Sequence, residues 1–479
     1  MKKIILSALV LATISSCSDD YYDSLNHDPM NPESVPASFL LTNAADSYGR
    51  RMLVTNVNTN VFRLYAQYWN ETQYVQESNY ELEERNINGS FVNEMIMNVI
   101  YDSEDAKRLV AEDLFTSASE KANQTAICEL VQIQAWQTLV DTFGDIPYSE
   151  ALQALDGVIK PKYDDDAAIY QDLVNRAIAA INMIDESGSG FGGDDIMYEG
   201  DMSKWKKFGA SLLLKLGVNV ADANSSLAQT AISTAMSVGT FASDGDSFRY
   251  NYPGVQPFVN PLWTDLVLSG RKDFVAANTI VDYMNDLNDP RRTKYFRENL
   301  GAGVFTGGIY GNATPYNAHT QIADALHAIN YPGNLLDYTE VLFLKAEAAG
   351  KGFAVGGSTE DFYNAGITAS MEFWGNTADE IAAYLAQPSV NWNTATGDWK
   401  QKLGIQYWLA MYNKGFDGWT VYRRLDAPQL NLPAFSGNPV PKRFTYPLAE
   451  HTVNSANYTA AAAAMGGDTQ QTRIFWDVN

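Results

Sequence analysis

Apolar residues recur at helical spacing over several long stretches of this chain, and this repetition limits the fold more than any other feature. In residues 98–115, Val99, Val110 and Leu114 fall near one face of a helix, with charged side chains on the opposite face. The same period returns in residues 125–143, 164–185 and 203–223. These stretches predict amphipathic helices that bury their apolar faces against one another, and therefore an all-α body.

Helical spacing also marks the last third of the chain, in residues 337–350, 359–375 and 398–415. The first two stretches together match a helix–turn–helix unit of tetratricopeptide size, and residues 98–143 match a second. Units of this kind bury their apolar faces only by stacking on their neighbours. The sequence therefore predicts an all-α architecture with tetratricopeptide-like helix–turn–helix units and functional surfaces built from loops.

The middle of the chain, residues 224–335, is rich in glycine, proline, asparagine and aromatic residues, with short helical pieces such as residues 274–288. Long loops inside a compact domain are usually functional surfaces. Aromatic rings beside polar side chains suit sugar faces or peptide backbones, although any single ring can instead fill a hydrophobic gap beneath a loop. The candidate ligand-binding residues are Trp69, Tyr74, Tyr80, Trp263, Arg271, Tyr310, Tyr316 and Tyr331.

The N-terminus has the pattern of a lipoprotein signal. Lys2 and Lys3 precede eleven mostly apolar residues, fewer than the roughly 20 of a membrane-spanning helix, and Ser15, Ser16 and Cys17 follow. In bacterial lipoproteins such a cysteine is acylated, for example with palmitate, and the chain is cut just before it. The alternative is an ordinary signal peptide with an incidental cysteine. We expect a lipoprotein signal peptide at residues 1–16, a lipidated cysteine and acidic tether at 17–38, and one globular domain at 39–479.

Charge and cysteine content narrow the possible partners. The chain has 33 basic and 57 acidic residues, with a formal net charge of −24. Nucleic acids and anionic lipids require a basic face, so an acidic body argues against both as partners. Besides Cys17, the only cysteine is Cys128, which lies in an apolar helical pattern. We expect it to be buried as a small apolar side chain.

The sequence contains no convincing catalytic, cofactor or metal motif. None of the four histidines lies in an H-E-x-x-H pattern, and neither a P-loop nor a G-x-S-x-G motif is present. Gly188, Gly190 and Gly193 formally fit G-x-G-x-x-G, but a predicted helix precedes them where a dinucleotide site requires a strand. The acidic run at 164–166 suits capping of the following helix better than metal binding. We therefore expect no enzyme activity, no cofactor and no metal.

Six segments, taken in order, resemble motifs of the SusD/RagB family of nutrient-binding outer-membrane lipoproteins, and the similarity covers nearly the whole chain after Cys17. The segments are DTFGDIPYSEAL (141–152), DPRRTKYF (289–296), YTEVLFLKAEAA (338–349), QKLGIQYWLAMYNKGFDGWTVYRRLDAPQL (401–430), PKRFTYPLAEHTVNSANY (441–458) and RIFWD (473–477).

The residue types in these motifs indicate a structural role rather than ligand binding. Pro147 ends helical geometry, and Tyr148 is expected to pack over the resulting corner. The paired arginines 423 and 424, beside Asp426 and Pro428, suggest an internal arginine–carboxylate clamp. Asp289 and Arg291 are expected to pin the middle region to the helices.

The resemblance implies a SusD-like helical body that is lipid-anchored at the outer membrane and exposed on the cell surface. It implies a partner, a SusC-like TonB-dependent β-barrel transporter that the lipoprotein covers as a lid, and a ligand that is usually a glycan and in some members a peptide. Members of the family bind ligands rather than transform them. Ser18, Asp19 and Asp20 resemble the surface-export signal of such lipoproteins. Sugar contacts in the family come from variable loops, so the resemblance assigns no ligand residue here.

Two alternatives to a nutrient binder remain open from the sequence. One is a lipid-anchored glycoside hydrolase acting on the same nutrient, which would place a carboxylate pair in a cleft. The other is a helical-repeat assembly factor that recognises only protein, which would present a groove without an aromatic platform.

Overall fold

The computed structural model describes residues 35–478, so the lipoprotein signal, Cys17 and Ser18–Asp20 all lie outside the described residues. The first described helix begins at Ala37, two residues before the expected domain boundary at residue 39. Between residues 35 and 478, no helix is long and apolar enough to cross a bilayer.

Eight helices make up the first half of the described chain. An α-helical segment, α3, continues through a π-helical turn at Met95–Ile100 into α4. Helix α5 begins where the Ser117 side chain accepts the Glu120 N–H, and α6 begins where Asp165 accepts the Ala168 N–H, so the acidic run does cap a helix. The helices are α1 Ala37–Leu53, α2 Phe62–Tyr65, α3 Ile87–Glu94, α4 Tyr101–Glu112, α5 Ala118–Phe143, α6 Asp166–Met183, α7 Met202–Asn219 and α8 Ser225–Val238.

Ten further helices follow, most of them short. Four of them begin after a capping residue whose side chain accepts a backbone N–H of the first turn. These residues are Asp337, Ser358, Thr377 and Asp398. The helices are α9 Pro261–Trp263, α10 Asn278–Asp286, α11 Arg292–Tyr295, α12 Tyr338–Gly350, α13 Thr359–Phe373, α14 Ala378–Leu385, α15 Trp399–Ala410, α16 Gly415–Leu425, α17 Glu450–Val453 and α18 Ser455–Ala464.

The described strands are short and form three antiparallel pairs, two of which join segments distant in sequence. They are β1 Trp69–Glu71 with β5 Phe274–Ala276, β2 Ile146–Pro147 with β3 Tyr163–Asp164, and β4 Phe248–Tyr250 with β6 Gly333–Leu336. The expected all-α class is confirmed, because these pairs only fasten loops to a helical body.

Consecutive helices pack as hairpins around one apolar core. Helix α4 packs on α5, α7 on α8 and α12 on α13, so both predicted helix–turn–helix units are present. Close approach is possible where glycine faces a neighbouring helix. At Gly366 in α13 an added Cβ would lie 2.9 Å from the Phe343 ring of α12, a contact that a larger residue could not make without displacement.

Buried arginines connect the hairpins to the rest of the molecule. Arg424 in α16 forms a bidentate ion pair with Glu347 in α12, at 2.8 and 2.7 Å, so the predicted clamp exists but its carboxylate is not Asp426. Arg423 instead lies 3.5 Å above the Trp419 ring. In the middle region, Arg291 pairs with its neighbour Asp289 and also bonds α13 and α15, as expected for a residue that pins this region to the helices.

Several sequence expectations need correction in detail. Residues 274–288 begin as strand β5 before turning helical, and residues 398–415 divide into α15 and the start of α16. Residues 225–238, assigned to the loop-rich middle, form the regular helix α8. The expectation for Cys128 is confirmed: it is buried and unpaired.

Candidate functional site

A cleft of about 310 Å³ opens on the surface where three loops meet. Its base is the β1–β5 pair, in which Glu71 lies opposite Phe274. One wall is formed by residues 55–58, which come directly after α1 in the sequence. Another is formed by the π-helical turn Thr264–Leu268 after α9 and by the residues that lead from it to β5. The lining includes Thr55, Asn58, Tyr74, Arg85, Asp265 and Arg271.

The rim of the cleft carries exposed aromatic and cationic side chains. Tyr74 is 63% exposed and has a left-handed backbone with φ of 58°, which is uncommon for a tyrosine and is concentrated at ligand sites in proteins. Arg271 is also exposed. Beside it, the Lys272 ammonium lies 5.4 Å from the centre of the half-buried Tyr316 ring. Three of the eight predicted residues, Tyr74, Arg271 and Tyr316, therefore gather around this rim.

Backbone hydrogen bonds hold the rim together. The Thr72 N–H donates to the Asp273 carbonyl at 2.8 Å, and its hydroxyl donates to the Lys272 carbonyl at 2.7 Å. On the other side, the Thr314 N–H donates to the Thr72 carbonyl at 3.1 Å, which brings the loop carrying Tyr316 against the same strand. The rim is therefore attached to the paired strands β1 and β5 rather than formed by loops alone.

Two aspartates of the cleft already have partners within the chain. Asp265 accepts the Thr55 N–H at 2.8 Å and the Thr55 hydroxyl at 2.9 Å. Asp273 forms an ion pair with Arg271, which raises the pKa of that guanidinium. Both carboxylates therefore fix cleft walls and side-chain positions.

A pair of buried glutamates supports the cleft from below. Glu71 and Glu77 are hydrogen-bonded to each other, and Glu71 also accepts the Ser78 N–H at 2.9 Å. Arg85 approaches Glu77 with its Nε at 2.8 Å. Burial, with the adjacent Glu77 charge second, raises the pKa of Glu71 to about 9, and burial also raises the pKa of Glu77. At neutral pH the two carboxyls therefore share a proton.

Three predicted aromatic residues lie in the core instead of at the surface. Trp69 is 1% exposed, and its indole N–H donates to the Tyr412 hydroxyl at 3.1 Å. Tyr80 is 2% exposed and accepts a hydrogen bond from Gln67. Tyr310 is 1% exposed and donates to the Leu64 carbonyl at 2.6 Å. Each of these rings packs beneath a loop, the alternative role considered for aromatic residues in the sequence.

The remaining two predicted aromatic residues lie outside the rim. Trp263 is half-buried at the end of α9, two residues before the cleft residue Asp265. Tyr331 packs near Trp374, with ring centres 6.4 Å apart, and burial raises its pKa. Six cleft residues were not predicted, because they share no spacing or motif in the sequence: Thr55, Asn58, Glu71, Arg85, Asp265 and Asp273.

Two further groups of charged side chains lie outside the cleft. A depression of about 440 Å³ beside Tyr148 is lined by Lys107, Glu129 and Arg176, but Glu129 binds both cations and Arg176 also donates to the Tyr148 hydroxyl. This closed network holds α4, α5 and α6 together and leaves no charged group of the three for a ligand.

The second feature is the carboxylate group of Asp145, Asp165 and Asp166, whose oxygens lie within 4.8 Å of one another. Asp165 caps α6, Asp145 accepts the Asp166 N–H, and Asp166 accepts the Phe475 N–H. Burial raises the pKa of Asp166 to about 7. These bonds agree with a capping role rather than a metal site, as the sequence indicated.

The helical body with its hairpin units is a fold shared with solved SusD homologues. A chitin-binding protein superposes with a TM-score of 0.78 at 25% identity, covering 92% of this chain and 100% of that chain. A SusD homologue from Bacteroides uniformis gives 0.79 at 24%, covering 92% and 100%. A chitin-binding SusD homologue from Flavobacterium johnsoniae gives 0.77 at 22%, covering 92% and 98%.

Sequence comparison gives the same assignment. The chain matches, over residues 29–447, the family model for SusD-like proteins, described as starch-binding and associating with the outer membrane. This protein belongs to the SusD-like family. A comparison with curated proteins finds no match. Proteins of this family are binding proteins associated with the outer membrane, and the expected SusD-like fold is confirmed.

Proposed function

We propose that this protein is a cell-surface lipoprotein that binds a nutrient glycan at the cleft and passes it to a SusC-like TonB-dependent transporter, over which it acts as a lid. The observation that carries the binding role is the rim, where the exposed ring of Tyr74 stands beside Arg271 above a cleft of about 310 Å³. A flat ring beside fixed polar groups matches a sugar ring and its hydroxyls.

The family resemblance supports a glycan over the alternative peptide cargo. The solved chitin-binding protein, with 25% identity, suggests an oligosaccharide of N-acetylated amino sugars as the first ligand to test. In such a complex, Tyr74 would stack on one sugar face, while Arg271 and Asn58 would offer hydrogen-bond donors to hydroxyl or acetamide oxygens.

The cleft supports binding better than hydrolysis. A glycoside hydrolase generally uses two carboxyls separated by about 5 to 9.5 Å, one on each side of the scissile bond. Glu71 has the raised pKa of a general acid, but it is in direct hydrogen-bond contact with Glu77 and is 3% exposed. Asp265 and Asp273 are occupied by Thr55 and Arg271. We therefore infer a binder without catalytic activity.

Titration calorimetry on a soluble form beginning at Ser18 tests the binding role. The panel should contain chito-oligosaccharides, malto-oligosaccharides and a peptide digest. We expect saturable heat with one glycan class, and a Tyr74→Ala variant that binds it about 10- to 100-fold more weakly with unchanged melting temperature. The matched control is Phe435→Ala, which removes an aromatic ring that is 77% exposed on another loop.

The outcomes separate the proposals. Saturable heat with peptides alone would show that the ligand is a peptide rather than a glycan. Continuous heat from turnover would show that the protein is a hydrolase. An equal loss of ligand affinity in the Tyr74→Ala and Phe435→Ala variants would contradict the proposal that the cleft is the binding site. Silence with every ligand would favour a factor that recognises only protein.

The anchor and the surface location are proposed from the N-terminal sequence. Acylation of Cys17 would hold the chain at the outer membrane, with two or more acyl chains needed for stable attachment. Cys17→Ala should move the protein from the membrane to the soluble fraction. Replacement of Asp19 and Asp20 by alanine should reduce cleavage by protease added to intact cells, and unchanged cleavage would remove the export role of these aspartates.

A further inference from the structure

Two arginines line the cleft, and each is held by a carboxylate that is more buried than the arginine itself. The Arg85 Nε lies 2.8 Å from Glu77, whose side chain is fully buried, and the Arg271 Nε pairs with Asp273. The side chain of Arg271 is 61% exposed, against 27% for that of Asp273. The carboxylates therefore fix the two guanidiniums from behind and leave their outer ends toward solvent.

The terminal Nη groups of both arginines have few partners within the chain. Between residues 35 and 478, no atom accepts a hydrogen bond from an Nη group of Arg271, because Asp273 accepts from its Nε. The Nη1 group of Arg85 has one weak contact, with the Asn58 Oδ1 atom at 3.4 Å. The two Nη groups of a guanidinium form a planar fork that matches the two oxygens of a carboxylate. The fork of Arg271 is therefore held in place and available to a ligand.

Cations and anions are equal in number around the cleft, although the whole chain has a formal net charge of −24. The cations are Arg85, Arg271 and, at the rim, Lys272; the anions are Asp265, Asp273 and the Glu71–Glu77 pair, which shares one proton. Each anion is bonded within the chain, whereas the Lys272 ammonium forms no ion pair with a described carboxylate. An approaching anion therefore meets cations whose counter-charges lie behind them.

The surface around the cleft limits how much charge the ligand can carry. Glu81, Glu83 and Glu84 are exposed on the segment that leads to Arg85. They would repel a densely charged chain such as a nucleic acid, but exposed charges more than about 8 Å apart are largely screened at physiological ionic strength. An isolated carboxylate on an otherwise neutral ligand fits this surface better than a polyanion.

We propose that the nutrient glycan carries an acidic sugar, a sialic or uronic acid, and that its carboxylate binds the Nη groups of Arg271 with Arg85 as a second positive charge. This inference rests on the proposed glycan-binding function and names the class of sugar. The exposed Tyr74 ring would stack on the same or a neighbouring sugar ring. A neutral hydroxyl or acetamide oxygen can accept from the same donors, but hydrogen bonds to a carboxylate are roughly twice as strong.

An acidic sugar and its methyl ester test this proposal, because they have nearly the same shape and differ in charge. Titration calorimetry on the soluble form beginning at Ser18 compares sialyllactose, and a xylotriose that carries one glucuronic acid, with their methyl esters. We expect one of the two acids to bind about tenfold or more tightly than its ester, which also tells a sialic from a uronic acid. Raising the NaCl concentration from about 50 to 300 mM should weaken binding of the acid more than binding of the ester.

A variant of the exposed arginine assigns the effect to the cleft. Arg271→Gln should lose most of the preference for the acid and bind the ester nearly as before, with an unchanged melting temperature because the side chain is exposed. The matched control is Arg108→Gln. Arg108 is also exposed and paired with carboxylates, those of Asp105 and Glu112 in α4, and this variant should keep the full preference.

The outcomes separate failure of the acidic-sugar proposal from failure of the glycan-binding function. Saturable binding with equal affinity for the acids and their esters, or binding of chito-oligosaccharides alone, would overturn the acidic sugar and leave the glycan binder intact. Full preference for the acid in Arg271→Gln would also overturn the inference. The absence of saturable binding to every acid, ester and neutral glycan would overturn the proposed function, and this inference with it.

Discussion

Substitution of Glu71 by glutamine should stabilise the protein at neutral pH, because Glu71 is held protonated in the folded state. Its carboxyl is 3% exposed and hydrogen-bonded to Glu77. A glutamine amide can donate to Glu77 in place of the carboxyl proton, while its oxygen can still accept from Ser78. The substitution keeps the hydrogen bonds and removes the need for a bound proton.

The magnitude follows from the pKa of Glu71, raised by burial from 4.5 to about 9. The folded state keeps a proton that the unfolded chain releases above pH 4.5, so the free energy of unfolding falls as pH rises from 4.5 to 9. Each pH unit costs about 1.4 kcal/mol, which amounts to about 3 kcal/mol at pH 7. For a body of roughly 440 residues, this free energy corresponds to about 3 °C in melting temperature.

Differential scanning calorimetry at pH 5, 7 and 8.5 provides the test. We expect Glu71→Gln to melt close to the unaltered protein at pH 5, about 3 °C higher at pH 7, and higher still at pH 8.5. Glu77→Gln is the matched control, since it removes the carboxylate that pairs with Arg85 and should give no gain at pH 7. A Glu71→Gln variant that is less stable at pH 7, or whose difference does not change with pH, would refute the shared proton.

Three further outcomes follow from the packing. Trp69→Ala should lower the free energy of unfolding by about 3–5 kcal/mol in denaturant titrations, since the ring is buried. A variant with unchanged stability and weaker ligand binding would instead show that Trp69 contacts the ligand. Glu347→Gln should cost about 3–5 kcal/mol because it leaves the Arg424 guanidinium buried without its counter-charge, and a loss below 1 kcal/mol would contradict this role. Burial raises the pKa of Cys128 to about 12, so its thiol should react with Ellman's reagent at pH 8 only after unfolding; rapid reaction of the native protein would contradict its burial.

The helices that were predicted carry a local signal in their own residues. Residues 338–350 and 359–373 have helical spacing and begin after Asp337 and Ser358, whose side chains accept N–H groups of the first turn. These signals act over a few residues and need no knowledge of the partner helix. The start of strand β5 was missed because three residues are too few to show alternation, and its partner β1 lies about 200 residues away in the sequence.

The cleft could be predicted only in part, because local sequence does not tell an exposed aromatic ring from a buried one. Trp69 and Tyr74 are five residues apart among similar polar neighbours, yet one is 1% exposed and the other 63%. Trp69 is covered by side chains from other parts of the chain: Phe274 packs against its ring with centres 5.4 Å apart, and Tyr412 accepts its indole N–H. Only the tertiary fold decides which ring is covered.

The segments that resemble the family and the proposed ligand surface differ in their burial and bonding. Arg291 and Arg424 lie in the segments that resemble the family, and both are fully buried in bidentate ion pairs. The Arg424 pair joins α16 to α12, whereas Arg291 pairs with Asp289 in its own segment and contacts α13 and α15 through hydrogen bonds. Loss of the arginine or of its carboxylate would leave a buried charge without a counter-charge, so substitutions at these positions should destabilise the protein. Tyr74 and Arg271 lie on the exposed rim outside those segments, where a substitution would alter the proposed ligand surface without disturbing the core. On the proposed assignment, the same helical body can carry different binding surfaces, and the choice of ligand depends on the rim rather than on the segments that resemble the family.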